Sequence, residues 1–488
     1  MAVGPVTREA IPTWEQELYI DGKRVPGDGH PIRVPNPATA APIATVNSAS
    51  VAQLDAAVAA ARRAFDEGPW PRMSPKERSA ALHRVADRLE QLHAPLSAAL
   101  VEEVGTPITL ATTLQAQLPV QVLREYADAA ADIGVTHLGP HFDPVPSSSY
   151  VARRPMGVAA VIAAYNFPIL LAIRSAGAAL AAGCTVVLLP SPRTPLTTLL
   201  LHDIFSDLPP GTVNTVVGGP EIGRHLTTHP GVEKVAFTGS MAVGAQIMRQ
   251  AADTAKSLSL ELGDKSPAVV LPDADLAEQL PGILLGYLAN SGQSCGATTR
   301  LIVPREKVEE FIAGSQAFIE GVLVGDPWDP ATVIGPLIRP EHRDFVRSHV
   351  EKAIRNGADV IARGRSVDAL PGWYHEPVLL AGVDSRAEIA QQELFGPVAV
   401  LLVYDDVEEA VKLANDTPYG LHGKVFTADV RAGLEVAARI RAGSVQVNGG
   451  GFRADAPFGG MKASGIGREY GMWGIQEFSE VQHIQWAW

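Results

Sequence analysis

The stretch VAAVIAAYNFPILLAIRSAGAALAAGCTVVLLP, residues 158–190, decides the fold. It is the most apolar long stretch of the chain, but Asn166, Pro168 and Arg174 interrupt it. A membrane-spanning helix needs about 20 consecutive apolar residues without such breaks. Proline suits the first turn of a helix, and the β-branched runs on either side are typical of buried strands. We therefore expect a strand, a helix and a second strand.

Further runs of the same kind follow this stretch. VNTVVGG (Val213–Gly219) and VEKVAFTG (Val232–Gly239) each precede a plausible helix. Apolar strands that alternate with helices are typical of a parallel sheet covered on both faces. A second alternating series follows Cys295 and includes RLIV, PVAVLLVY, KVFT and GSVQVN. The pattern predicts an α/β protein with two units, of which the first ends near SLSLELG.

Two segments outside these series are predicted to form peripheral strands. They are SSSYVARRP (Ser147–Pro155) and VQHIQWAW (Val481–Trp488). Exposed strand edges of this kind are often covered by another subunit. We therefore expect the chain to form a homo-oligomer.

Composition limits the function classes. The chain has 488 residues, of which 46% are hydrophobic and 19% charged, as in a well-packed protein of two or three domains. The formal charge of -13 disfavours nonspecific binding to nucleic acids or anionic membranes. The segment MAVGPVTREAIPTWEQ lacks the basic and apolar regions of a signal peptide. Because there are only two cysteines, no disulfide framework is expected, and we predict a cytoplasmic setting.

The two cysteines lie in different surroundings. Cys295 lies in NSGQSCGATTR with little apolar company, and Gly292 and Gly296 indicate a tight bend or a close approach of another group. These residues alone leave both a nucleophile and a structural thiol open. Cys184, in AAGCTVVLL at a strand start, is interpreted as structural.

Two histidines have the spacing of a metal-binding pair. His225 and His229 are four residues apart, but no glutamate lies between them and Pro230 follows at once. We interpret both as surface histidines, and no metal is expected.

Three candidate ligand-binding positions follow predicted strands, because open parallel sheets bind ligands there. Gly239 and Gly244 flank a helix start whose amides suit a phosphate, although an ordinary turn is equally compatible. Asn166 could donate to an oxyanion or cap a helix. Glu261 could act as a general base with a raised pKa, or simply end a strand at the surface.

Six motifs in collinear order resemble the aldehyde dehydrogenase superfamily over nearly the whole chain. They are NFP (Asn166–Pro168), FTGS (Phe237–Ser240), LELG (Leu260–Gly263), GQSC (Gly292–Cys295), ELFGPV (Glu393–Val398) and PFGGMKASGIGRE (Pro457–Glu469). Each motif is modest alone, and their joint order makes the resemblance specific. It implies a Rossmann-like cofactor domain, an α/β catalytic domain and a β oligomerisation arm.

The resemblance also implies domain limits and an assembly. Residues 1–134 and 155–260 would form the cofactor-binding domain, and residues 261–464 the catalytic domain. Residues 135–154 and 478–488 would form the arm, in a homodimer or homotetramer.

The resemblance implies a role for each matching residue. Cys295 would be the nucleophile, Glu261 the general base, and Asn166 the oxyanion donor together with the Cys295 backbone N–H. NAD or NADP would be the cofactor, and its candidate contacts are Tyr165, Gly239, Ser240, Gly244, Leu262, Glu393 and Phe395. The candidate substrate pocket consists of Phe167, Arg174, Ser294 and Phe458.

The implied reaction is oxidation of an aldehyde to the carboxylic acid. A thiohemiacetal on Cys295 would lose hydride to the cofactor, and Glu261 would activate water to hydrolyse the resulting thioester. The segments AIRSAGAAL and PSPRTP are similar to the benzaldehyde and vanillin dehydrogenase branch, which suggests an aromatic or medium aliphatic aldehyde. Two alternatives stay open: a cofactor-poor relative that acts as an oligomeric binding protein, and a relative that acylates coenzyme A.

The chain departs from the family pattern at several positions. Leu189 replaces the usual lysine at the adenosine ribose, and Pro192 replaces the acidic residue that commonly reads it. These changes leave the choice between NAD and NADP open. Asp264 replaces a glycine and could crowd the cleft or repel Glu261. Ser175 stands where some members place a lysine that forms a proton relay with a glutamate, here at position 469.

Overall fold

The computed structural model describes residues 5–487, so residues 1–4 and Trp488 of the predicted ranges lie outside the described part. Its strands are β1 (Leu18–Ile20), β2 (Lys23–Val25), β3 (Pro31–Pro35), β4 (Pro42–Asn47), β5 (Val135–His141), β6 (Ser147–Pro155), β7 (Val158–Ile162), β8 (Thr185–Leu189), β9 (Val213–Thr215), β10 (Lys234–Thr238), β11 (Ser257–Glu261), β12 (Ser266–Val270), β13 (Thr298–Pro304), β14 (Asp359–Arg363), β15 (Val378–Ala381), β16 (Val398–Tyr404), β17 (His422–Phe426), β18 (Ser444–Val447), β19 (Gly465–Ile466) and β20 (Ser479–Ala487).

The helices connect these strands. They are α1 (Val51–Asp66), α2 (Pro75–Gln91), α3 (His93–Ala99), α4 (Ile108–Leu110), α5 (Leu118–Ala131), α6 (Pro168–Ala182), α7 (Pro195–Leu199), α8 (Pro220–Thr228), α9 (Met241–Ala252), α10 (Leu276–Leu288), α11 (Val308–Gly321), α12 (Pro340–Arg355), α13 (Glu388–Gln391), α14 (Val407–Asn415), α15 (Val430–Ala437) and α16 (Gly471–Gln476). None of the described helices is both long enough and apolar enough to cross a membrane.

The decisive apolar stretch forms β7, α6 and β8, as predicted. β7 and β8 pair in parallel, with Val158 opposite Thr185 and Ile162 opposite Leu189. Proline at position 168 opens α6, and Gly183 ends the helix in the left-handed conformation that glycine adopts without strain. Every residue of this helix is buried, which explains why the stretch is apolar on all sides.

The first sheet has the strand order β19-β11-β10-β7-β8-β9-β1-β2. The five strands from β11 to β9 are parallel, and apolar clusters cover both faces. The edge strand β19 comes from a distant part of the chain and pairs antiparallel with β11, placing Gly465 opposite Glu261. The first sheet is therefore completed by residues that follow the second.

The second sheet has the order β14-β15-β16-β13-β12-β17-β18. All neighbours are parallel except β14 and β15, and this sheet also has apolar clusters on both faces. A third sheet, β20-β6-β5, contains the predicted peripheral strands. Large apolar side chains on and beside it are exposed: Val135, Leu138, Phe142, Val145, Val481 and Trp486.

Candidate active site

One cavity of about 1800 Å³ lies between the first two sheets. The first sheet presents its carboxyl ends, since Asn166 follows β7 and Glu261 ends β11. The second sheet presents its amino ends, since Cys295 precedes β13 and Glu393 precedes β16. The predicted residues that line the cavity are Tyr165, Asn166, Phe167, Arg174, Gly239, Ser240, Glu261, Leu262, Ser294, Cys295, Glu393, Phe395 and Phe458.

Gly244 is the predicted site residue that does not line this cavity. A Cβ at this position would lie 2.6 Å from a methyl carbon of Leu262. The glycine therefore packs α9 closely against the end of β11, and a bound phosphate has no path to it there. The neighbouring Ser240 does line the cavity and caps α9, because its Oγ accepts from Val243 N at 3.4 Å.

The loop before Cys295 has an unusual backbone. Asn290 and Ser291 have φ values of 53° and 58°, and Gly292 follows with 72°. A Cβ on Gly292 would lie 2.1 Å from the Gly396 carbonyl oxygen, so only glycine fits. The Ser291 hydroxyl donates to Gly335 O at 2.9 Å. This left-handed turn, fixed on both sides, holds the cysteine at the cavity wall.

Asn166 is held against the same loop. Its side-chain amide donates to Gln293 O at 3.0 Å, and Asn290 Nδ2 donates back to Asn166 O at 3.1 Å. Gln115 Nε2 adds a weaker bond to the Asn290 side-chain oxygen at 3.3 Å. Asn290, Gln293 and Gln115 were missed as site residues by sequence reasoning. Asn-Ser-Gly is a composition that tolerates left-handed backbone, and this was the available signal for Asn290.

Burial controls the protonation state of Cys295. The half-buried thiol has its pKa raised to about 12 by desolvation, while the nearby Arg174 acts in the opposite direction. Glu261 and Glu393 raise the pKa further as like charges of the thiolate. The protein alone therefore keeps this cysteine as a thiol, so attack on a carbonyl requires a base that removes its proton.

Glu261 has the properties of such a base. Its carboxylate is buried at the end of β11, and neither oxygen has a hydrogen-bond partner among the described residues. Desolvation raises its pKa to about 8, with the negative charge of Glu469 acting in the same direction. The surface alternative for Glu261 is therefore wrong, because its exposed fraction is only 4%.

Arg174 lies in the cavity wall but is already paired. Its guanidinium forms an ion pair with Glu469, and its Nη2 donates to Thr238 Oγ1 at 3.1 Å. Ser175 Oγ donates to the other oxygen of Glu469 at 3.0 Å. Since its charge is balanced by a buried carboxylate, Arg174 is poorly suited to bind a carboxylate of a substrate.

Glu393 and Phe395 lie on the loop before β16. Glu393 Oε1 accepts from Asp264 N at 3.1 Å, and burial raises the pKa of this carboxyl to about 7. Phe395 has a φ of 58°, and His342 Nε2 lies 2.8 Å from its carbonyl oxygen. Its ring centroid is 6.0 Å from that of Tyr165, in an edge-on arrangement. The aromatic pair and the Glu393 carboxylate therefore lie close together in the cavity wall.

The cavity is also lined by Leu189, Pro192, Arg193 and Arg224. Leu189 is buried, and no carboxylate lies in the loop from Pro190 to Thr194. The Arg193 guanidinium lies over the Tyr165 ring, 5.2 Å from its centroid. The cavity wall formed by the loop after β8 therefore carries a positive charge and no carboxylate.

Asp264 was expected to crowd the cleft or repel the Glu261 carboxylate, and the structure shows neither effect. Its Oδ2 accepts from the Ser266 hydroxyl and from His422 N, the latter at 3.0 Å. Its charge raises the pKa of Glu393 but is not among the causes that shift Glu261. The aspartate, which stands where the family usually has glycine, accepts the backbone N–H at the start of β17. Its side chain does not line the cavity and leaves the cleft open.

Replacing Asp264 with alanine is expected to lower the free energy of unfolding by about 1–3 kcal/mol. The substitution leaves the buried His422 N–H without its acceptor. Urea unfolding followed by circular dichroism measures the change. Asp264→Asn is the matched control, because its amide oxygen can still accept, and we expect it to lose less stability. Equal stability of the alanine variant and the wild type would contradict this role.

His225 and His229 form a surface cluster with Asp55. His225 Nε2 lies 2.6 Å and His229 Nε2 3.5 Å from the same Asp55 oxygen. His229 Nδ1 accepts from Gly231 N at 3.0 Å, which leaves the proton of the neutral ring on Nε2. A metal would need that nitrogen deprotonated. The arrangement therefore fits hydrogen bonding between the histidines and the aspartate.

Comparison with known proteins agrees with this site. The family model described as "Aldehyde dehydrogenase family" matches residues 25–484. A geranial dehydrogenase from Castellaniella defragrans is 36% identical, over 96% of this chain and 98% of its own. An aldehyde dehydrogenase from Mycobacterium tuberculosis, solved with NAD+, is 39% identical with a TM-score of 0.92, over 96% of this chain and 97% of its own.

A mutant of aldehyde dehydrogenase C (AldC) from Pseudomonas syringae, solved with NAD+ and octanal, is 38% identical. Its TM-score is 0.91, and the match covers 97% of this chain and 98% of that one. The predicted fold class is thereby confirmed, as is the expectation of an NAD(P)-dependent oxidoreductase. With the thiol, the buried carboxylate and the asparagine on one cavity and a family match over nearly its whole length, the chain belongs to the aldehyde dehydrogenase family.

Proposed function

We propose that this protein oxidises an aldehyde to the carboxylic acid with Cys295 as nucleophile, Asn166 as oxyanion donor and Glu261 as general base. The observation that carries the proposal is the contact between Asn166 Nδ2 and the carbonyl of Gln293, two residues before the cysteine. It brings the amide donor beside the thiol, and a buried, unpartnered carboxylate lines the same cavity. These are the three groups that acyl chemistry on a thiol needs.

The steps follow from these groups. Glu261 removes the thiol proton, and the Cys295 sulfur attacks the carbonyl carbon. The oxyanion is stabilised by the Cys295 backbone N–H and by the Asn166 amide, which has a second N–H. A nicotinamide cofactor, held by the N-terminus of α9 and by Glu393, would supply the acceptor for the hydride that leaves the carbon. Glu261 releases the thiol proton to solvent and then takes a proton from water, so that hydroxide attacks the thioester carbon. The C–S bond breaks, the carboxylic acid leaves, and Glu261 returns its proton to the Cys295 thiolate.

The chain offers suitable contacts for the cofactor. The N-terminus of α9, capped by Ser240, suits a pyrophosphate. Gly219 has no atom within 4 Å of where its Cβ would be, so the backbone there is open to a close approach. The Glu393 carboxylate suits ribose hydroxyls. These features argue against the cofactor-poor binding protein, and the position of Glu261 argues for water over coenzyme A as acceptor.

We expect NADP to be used at least as well as NAD. The loop after β8 has no carboxylate to repel a 2′-phosphate, and Arg193 and Arg224 line the same cavity. Pro192→Glu is expected to lower kcat/KM for NADP by about tenfold or more, corresponding to about 1.4 kcal/mol. Initial rates with each cofactor measure this change, and Pro192→Gln is the uncharged control. The expectation is wrong if the Glu and Gln variants show the same NADP/NAD ratio.

An aromatic or medium aliphatic aldehyde remains our proposal for the substrate. Apolar side chains dominate one side of the cavity: Leu110, Leu114, Leu118, Phe167, Leu171, Phe452 and Phe458. The related proteins named for geranial and solved with octanal support a substrate of this kind. The test is nicotinamide reduction with a panel of aromatic and aliphatic aldehydes and both cofactors. No turnover with any pair would favour a binding protein.

The predicted domains and assembly also remain proposals. The first sheet, with residues 1–134 and 155–260, would hold the cofactor, and residues 261–464 would supply the thiol. The exposed apolar side chains on the β20-β6-β5 sheet support its use as an oligomerisation arm. Light scattering coupled to size exclusion would distinguish monomer, homodimer and homotetramer. Free thiols at positions 184 and 295 suit a reducing compartment such as the cytoplasm.

A further inference from the structure

The cavity extends beyond the nucleophile into a side chamber between α10 and the first residues of β17 and β18. Its walls include Gly286, Ala289, Gly296, His422, Lys424 and Gln446. His422 and Lys424 point to the same face of β17, because side chains two residues apart in a strand share a face. Gln446 pairs with Lys424 across the two parallel strands.

Small residues keep this side chamber open. A Cβ on Gly296, the residue after the nucleophile, would be 3.7 Å from His422 Cδ2, so a larger side chain would fill the space in front of the histidine. A Cβ on Gly286 would lie 2.3 Å from Thr298 Oγ1 and 3.6 Å from Lys424 Nζ. Because Gly286 has no side chain, the Lys424 ammonium lies directly against the backbone of α10.

Lys424 has no counter-ion among residues 5–487. The side chain is half-buried, and it makes no ion pair or hydrogen bond with any residue in this described range. Desolvation lowers its pKa, and no carboxylate opposes the effect. An amine in such a place is stabilised in its charged form when an anion binds beside it.

The neighbouring groups leave this cation available. The Asp264 carboxylate accepts from Ser266 and from His422 N, and His422 Nδ1 lies 2.8 Å from Ser444 Oγ. Arg174, the cation nearer the nucleophile, is paired with Glu469. The Lys424 ammonium is thus the group in the side chamber that can meet a negative charge.

We propose that the side chamber binds a carboxylate carried by the aldehyde at the end remote from its carbonyl, and that Lys424 is the residue that recognises it. The proposal rests on the oxidation chemistry described above and adds a substrate class, an aldehyde with a terminal carboxylate. Gly296 begins the path at the nucleophile, and Lys424 lies about 6.6 Å beyond His422 along the strand. The apolar stem of such a substrate would follow this path.

Turnover provides the first test. Aldehydes with a terminal carboxylate are compared with their methyl esters and with n-alkanals over a series of chain lengths. The wild type is expected to prefer the carboxylate over its ester by about tenfold or more in kcat/KM, through KM. Lys424→Gln should abolish this preference. Lys412→Gln, an exposed lysine on α14, is the matched control and should keep it.

Binding provides a test that is independent of catalysis. Calorimetric titration with the dicarboxylic acid product and its monomethyl ester should show tighter binding of the diacid to the wild type, and no difference for Lys424→Gln. Equal affinities in the wild type would overturn the proposal. So would a Lys424→Gln variant that keeps the preference and only lowers Tm, since Lys424 would then merely stabilise the end of α10.

The failures of the two proposals can be told apart. If n-alkanals are oxidised but the carboxylate gives no advantage, the side chamber proposal fails and the proposed function stands. If no aldehyde is oxidised but the diacid binds through Lys424, the proposed function fails and the carboxylate site stands. A change of oligomer size in Lys424→Gln without a change in selectivity would instead assign the lysine to a subunit contact, which also overturns the proposal.

Discussion

Replacing Cys295 with alanine is expected to lower kcat for aldehyde oxidation by about 10⁴-fold or more, which is typical when a covalent nucleophile is removed. In the proposed mechanism the sulfur forms the bond to the carbonyl carbon, and no other described thiol lines the cavity. Because the left-handed turn before it is held by Gly292 and Ser291, the variant should fold normally. Initial rates of nicotinamide reduction and thermal unfolding measure the two properties.

Cys184→Ala is the matched control for this experiment. That thiol is fully buried at the start of β8, where its Sγ lies 3.2 Å from Phe478 O. The control is expected to lose some stability, since a buried group is removed, and to keep its turnover. Residual oxidation by Cys295→Ala within tenfold of the wild type, with the fold intact, would show that the aldehyde reacts by another route.

Replacing Glu261 with glutamine is expected to lower the steady-state rate by about 10²–10⁴-fold. Glutamine is nearly the same size but cannot accept a proton from water or from the thiol. Rapid-mixing measurements of Glu261→Gln should separate the steps. Molecules whose thiol has reacted should each form one equivalent of reduced cofactor and then stall at the thioester. Glu320→Gln, an exposed position on α11, is the control. An unchanged steady-state rate for Glu261→Gln would remove the carboxylate from the mechanism.

The pH dependence gives an independent signature of the same residue. Burial raises the Glu261 pKa to about 8, so the carboxylate becomes the predominant form only above that pH. The wild-type rate is therefore expected to rise with pH through about 8 and then level off. In Glu261→Gln the levelling above pH 8 should disappear, because any residual rate then follows ionisation of the Cys295 thiol, whose pKa is about 12. A profile of the same shape in both proteins would assign the titration to a different group.

Much of the fold could be predicted because its signals are local. β-Branched runs and the proline that opens α6 predicted the parallel strands of the first sheet, since each depends only on neighbouring residues. Cys295, Glu261 and Asn166 were found from short motifs in loops between elements. Such motifs predict a shared site because the loops after parallel strands lie at the same edge of the sheet.

The remaining features depend on contacts between distant residues. The pairing of Arg174 with Glu469 joins a helix to a segment far along the chain, so neither segment alone predicts it. The raised pKa of the thiol depends on burial between the two sheets, which no local motif indicates. The sequence did not predict a role for Lys424, because a lysine in a strand normally faces solvent.

The strand pairing beside the base has a consequence for the order of synthesis. Gly465 lies opposite Glu261, and Leu262 N donates to Ser464 O at 2.9 Å. On the ribosome, the strands around Glu261 emerge long before these partners, and the entire second sheet is made in between. A nascent chain can thus form most of the first sheet while the Glu261 carboxylate still lacks its neighbouring strand β19. Catalytic competence then arrives as a late event of translation, after both sheets have been made.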